Sequence, residues 1–74
     1  MFYNYDKLKG RIKEKFGTNR AFAAAVGRSE RSVSLKLNSL VPWTQTEIEA
    51  SCEALDIPYT DISAYFFAKQ VQRH

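Results

Sequence analysis

Apolar residues recur along this chain at spacings of three and four, and the polar residues between them fall where helices start and stop. Tyr5, Leu8, Ile12 and Phe16 share one face of a helix predicted from Tyr5 to Phe16. Asn4 or Asp6 can cap its start by accepting backbone N–H bonds. Gly17 stops it, because glycine takes the left-handed C-terminal conformation without steric cost. A second helix opens on Thr18 as N-cap, with Phe22 and Val26 as an apolar i, i+4 pair. The run Ala23-Ala24-Ala25 lets another backbone approach, and Gly27 ends the helix. Ser29 caps a third helix, Glu30 to Leu37, whose Val33 and Leu37 face a core. Ser39 to Trp43 reads as a loop broken by Pro42. Thr44 or Thr46 opens a fourth helix with an Ile48, Cys52, Leu55 stripe, and Asp56-Ile57-Pro58 closes it. A fifth helix is predicted from Thr60 to Phe67, and residues 68–74 are expected to fray. The pattern is all-α: five short helices and no repeat, linker or low-complexity tract.

Length and composition narrow the chemistry. Seventy-four residues are expected to form one domain, spanning 1–74, with a small core. Cys52 is the sole cysteine, so no intrachain disulfide can form, and with His74 as the sole histidine no Cys/His zinc site is expected. Cys52 reads as a small core residue, and a lone thiol suits a reducing cytoplasm. No apolar run approaches the roughly 20 residues of a membrane span, and the opening MFYNYDK lacks a signal-peptide core. A soluble, cytoplasmic protein without cofactor, metal or membrane contact is expected. Enzymatic function is not, because the chain has neither a phosphate-cradling glycine loop nor a Cys/His pair for nucleophilic catalysis. Glu47, Glu49 and Glu53 read as a solvated face of the fourth helix.

Charge divides the chain. Residues 1–38 carry nine basic side chains against three acids, a balance of +6, while residues 39–74 carry two against five, a balance of −3. A basic half beside an acidic half is an electrostatic footprint for a polyanion, chiefly DNA phosphate. The stretch Thr18 to Asn38 supplies the matching geometry: two short helices, a glycine for the sharp turn and an alanine for close approach. On a wheel of the third helix, Arg31, Ser34, Leu35 and Asn38 gather on one side, with Val33 and Leu37 roughly opposite. Arg31 can bond guanine O6 and N7, Ser34 can meet either base type, and Leu35 can pack on a thymine methyl.

Thr18-Asn19, Phe22-Ala23, Val26-Gly27, Ser29, Val33-Ser34 and Leu37-Asn38 together resemble the helix-turn-helix of the Cro and repressor proteins of temperate phages, the XRE-like family. SERSVSLKLN, IEASCEALDIP and AYFF are also similar to short phage regulators of Gram-positive hosts. The resemblance implies a five-helix, lambda-repressor-like DNA-binding domain. It implies base contacts from Glu30, Arg31, Ser34 and Leu35, and phosphate contacts from Thr18, Asn19 and Asn38; charge adds Arg20 and Lys36 to the phosphate set. Three residues depart from the family pattern. Arg28 and Lys36 stand where apolar residues are usual, and Glu30 brings an acid toward DNA.

Two functions follow. One is a regulator binding operator DNA as a homodimer in a lysis/lysogeny-like switch, with half-sites about one helical turn apart. The other is an antirepressor or modulator that grips a phage repressor's DNA-binding domain, with the helix-three face as one possible grip. Neighbouring Phe66 and Phe67 point about 100° apart on a helix, so one of the rings, with Tyr65, is a candidate for a dimer or partner interface.

Overall fold

The computed structural model describes residues 3–69. Within them the order is α1 (Asp6–Phe16), α2 (Asn19–Ala25), α3 (Glu30–Leu37), α4 (Gln45–Leu55), a single 3₁₀ turn (Tyr59–Asp61) and α5 (Ile62–Phe66). The five-helix, all-α reading therefore holds among the described residues.

Local chemistry sets most of these limits. Neither candidate caps α1, whose cap position is Tyr5; Asn4 Oδ1, one residue earlier, accepts from the Asp6 N–H at 2.8 Å. Gly17, at φ +80°, and Gly27, at φ +73°, adopt the left-handed backbone that ends α1 and turns the chain between α2 and α3. Thr18 Oγ1 accepts from Ala21 N at 3.1 Å, and Ser29 Oγ accepts from Ser32 N at 3.1 Å. Each hydroxyl satisfies one of the donors a helix leaves free at its start. Thr44, rather than Thr46, caps α4. Its hydroxyl accepts from Glu47 N at 3.2 Å, while Glu47 Oε1 accepts from Thr44 N at 2.8 Å, a complete capping box.

The core joins these elements. Leu8 and Ile12 of α1, Phe22 and Ala23 of α2, Val33 and Leu37 of α3, Cys52 and Leu55 of α4, and Phe66 of α5 are buried together with Tyr5 and Ile57. Ile48, the first member of the α4 stripe, is half-buried against it. A second tie runs between α1 and the end of α4. Arg11 donates to the carbonyls of Leu55 at 2.8 Å and Asp56 at 3.2 Å, and Lys15 pairs with Asp56 at 2.9 Å. Cations placed over the last carbonyls of a helix oppose its negative end.

Three expectations need correction here. The fifth helix does not run from Thr60 to Phe67 but begins as the 3₁₀ turn, because Asp61 N bonds back to Pro58 O at 2.9 Å. Residues 68 and 69 are not frayed: Asn4 N bonds Ala68 O at 2.7 Å, and Tyr3 pairs antiparallel with Lys69. Residues 70–74 of the expected tail lie outside the described residues. The Phe66 ring is not exposed for an interface: it is fully buried against Trp43, with centroids 5.3 Å apart. Its neighbour Phe67 is 49% exposed.

Candidate functional site

Gly27 lets α3 leave α2 at a sharp turn, and the packing of Phe22, Ala23, Val33 and Leu37 holds the two helices together. This brings the residues read from the sequence onto one motif, though not all onto one surface. Thr18, Asn19 and Arg20 are exposed at the start of α2, and Glu30 and Arg31 are exposed at the start of α3. Ser34 and Leu35 are half-buried. Asn38 is exposed, and its amide donates to Ser34 O at 2.9 Å. The Thr18 hydroxyl is engaged in its cap.

Lys36 departs from its expected role. It is 7% exposed, and its ammonium donates to Ser32 Oγ at 3.0 Å and lies 3.3 Å from Glu47 Oε2. A cation held this way is not presented to a phosphate. The partner that holds it is the second correction: Glu47, expected on a solvated face, is 5% exposed. Its Oε2 also accepts from Arg28 Nε at 2.7 Å, while Oε1 accepts from the Thr44 N–H. Burial alone pushes the Glu47 carboxyl up. The bonds from Thr44, Arg28 and Lys36 outweigh it and bring the group down to about 2. The carboxylate thus stays ionised and ties the turn before α3, the last turn of α3 and the start of α4 to one point. The Thr44-x-x-Glu47 spacing and the two basic residues at unusual positions were the available signals for this cluster.

A second surface lies around the 3₁₀ turn, α5 and the start of α4. Trp43, Ile48, Ile62, Tyr59 and Phe67 line a hollow of about 440 Å³ bordered by Gln45 and Glu49. An adjoining hollow of about 280 Å³ shares Trp43, Ile48 and Phe67 and reaches Tyr3 and Phe66. Tyr59 is 59% exposed. The Trp43 indole N–H is shielded from water and has no acceptor among the described residues. A hollow with apolar walls and bulky exposed aromatics is suited to receiving another molecule. Tyr65, the third candidate for an interface, is half-buried beneath Lys7, whose ammonium sits 4.8 Å from the ring centre.

With this geometry in view, comparison with known proteins decides the family. Residues 1–69 match the family described as "Protein of unknown function (DUF739)". The chain belongs to this family. Among solved structures it is similar to the solution structure of the modulator of repression (MOR) of the temperate bacteriophage TP901-1 from Lactococcus lactis. Identity is 47%, 97% of each chain is covered, and the TM-score is 0.80. No curated protein matches. The likeness is thus to a phage regulatory protein, a modulator of repression rather than a Cro-type protein. Among the described residues no helix is long and apolar enough to cross a membrane.

Proposed function

We propose that this chain is a phage-type regulator that binds the DNA-binding domain of a partner repressor, and so acts as an antirepressor or modulator rather than by occupying operator DNA. The whole-length likeness to a modulator of repression, 47% identical over 97% of each chain, carries this reading. The inward placement of Lys36 supports it, because the third helix then offers DNA fewer cations than its sequence contains.

The partner docks on the apolar hollow of Trp43, Ile48, Tyr59, Ile62 and Phe67. A repressor's DNA-binding surface is basic, since it faces phosphate. Residues 39–74, which hold most of the hollow, carry −3, whereas residues 1–38 carry +6. At the hollow itself the lining includes Glu49 and no cation, so charge complementarity favours it as the receiving surface. Phe67, expected at a dimer or partner interface, serves the partner in this reading.

A second reading, operator binding as a homodimer, is favoured by the exposed Arg20 and Arg31 on an intact, capped helix pair. One assay separates the two. The chain is titrated onto operator DNA with and without the adjacent repressor, at two salt concentrations, beside an Arg31→Ala variant. The expected result is no shift of DNA by the chain alone and release of the repressor, with Arg31→Ala nearly as effective. Binding of one site by the chain alone, weakened by salt and by Arg31→Ala, overturns the proposal.

A further inference from the structure

We propose that Glu47 is a specificity-determining residue that withholds this helix-turn-helix from DNA: its buried carboxylate engages two of the cations that would otherwise be available to phosphate. The inference deepens the reading above and rests on it in one respect, that the wild-type chain does not act by binding an operator.

The stretch Thr18 to Asn38 contains four cations, Arg20, Arg28, Arg31 and Lys36. Two of the four converge on a single oxygen, Glu47 Oε2, with Arg28 Nε at 2.7 Å and Lys36 Nζ at 3.3 Å. The other oxygen accepts a backbone N–H at the start of α4 at 2.8 Å. Guanidinium, ammonium and the N–H at a helix start are the donors that proteins direct at DNA phosphates. Here each is engaged from within. Arg28 retains partial exposure, 42% of its side chain, so it needs only to lose its partner to face solvent. Lys36 is held more deeply, at 8%, and its flexible four-carbon stem allows the ammonium to swing outward once the carboxylate charge is gone.

Glu47→Gln tests this without dismantling the fold. Glutamine serves at the third position of a capping box as glutamate does, so the start of α4 keeps its reciprocal bonds. The probe is a mixed-sequence DNA duplex of about 20 base pairs, titrated between roughly 50 and 200 mM salt, the range over which phosphate contacts weaken steeply. Each phosphate contact adds about 0.9 to the steepness of the logarithmic salt dependence. Freeing Arg28 and Lys36 is expected to steepen it by between about one and two, and to raise affinity at the lower salt by about tenfold. Glu53→Gln, an equal change of charge at an exposed position on the same helix, is expected to leave the salt dependence near that of wild type. Adding Lys36→Met to Glu47→Gln leaves Arg28 alone free and should halve the gain. That double variant also buries no unpaired ammonium, so it carries the test if Glu47→Gln alone proves unfolded by circular dichroism. A folded Glu47→Gln or double variant with wild-type affinity and salt dependence overturns the inference, as does an equal gain from Glu53→Gln. Tight operator binding by the wild-type chain overturns the functional reading instead.

Discussion

A carboxylate that accepts from a backbone N–H, a guanidinium and an ammonium is far harder to protonate in the folded chain than in the unfolded one. The Glu47 carboxyl sits at about 2 when folded, against about 4.3 for a free glutamate. Because the folded value is the lower one, the unfolded chain takes up the proton first as pH falls, and stability falls with it. The contribution, about 3 kcal/mol at most, is complete above pH ~5 and is lost as the pH drops through ~4 toward 2. Thermal melting followed from pH 6 to 2.5 is expected to show this acid limb, and Glu47→Gln is expected to flatten it; equal slopes for both proteins would rule Glu47 out as its source. The role of this residue was poorly legible in the sequence. Glu47, Glu49 and Glu53 look alike as text, and burial of the first arises from Arg28 and Lys36, 19 and 11 positions earlier. Arg31, by contrast, was correctly expected on an open surface, since the position of Val33 and Leu37 alone decides which side of α3 faces water.

At the scale of an element, the limits of α2 and α3 rest on short-range groups, and such limits are readable. The Thr18 and Ser29 caps and the Gly27 turn follow from residues within three positions of each helix end. Ser29→Ala is expected to lower stability by about 1 kcal/mol through loss of the Ser32 N–H bond. Gly27→Ala is expected to lower it by roughly 1–2 kcal/mol. Open space surrounds the added methyl, so the whole effect comes from the positive φ rather than from a clash. Urea denaturation of both variants checks the pair, and a neutral Gly27→Ala would mean that the turn relaxes to negative φ. The fifth helix was less legible. Ile62, Tyr65 and Phe66 fit a helical stripe equally well whether the preceding turn is α or 3₁₀, and only the Pro58 carbonyl, in accepting from Asp61, distinguishes them.

For the whole molecule, one small core must hold every element. A chain of 74 residues has roughly 4–11 kcal/mol of stability at ordinary values per residue. Phe22 is fully buried at the crossing of the helix pair with α1, its ring 5.8 Å from that of Phe16. Phe22→Ala, at about 3–5 kcal/mol, is expected to leave the chain largely unfolded at 37 °C by circular dichroism. Phe67→Ser should behave in the opposite way. Its ring is half exposed, so melting should shift little while release of the repressor from its operator is lost; a Phe67→Ser protein that still displaces repressor would remove the hollow from consideration as the docking surface. The pairing of Tyr3 and Asn4 with Ala68 and Lys69 belongs to this scale as well. Hydrophobic periodicity carries no signal for a contact between two chain ends, which is why the tail was expected to fray.

The burial of Cys52 gives the molecule an internal clock. Its thiol is 2% exposed, and burial raises its pKa, so a disulfide reagent in solution meets almost no reactive sulfur in the folded chain. Since the sequence holds no other thiol, every labelling event records one opening of the core. Where reclosing outpaces labelling, the labelling rate at fixed reagent concentration therefore measures the population of the open form, with no probe introduced. A partner that binds the closed form will slow that rate in proportion to its occupancy.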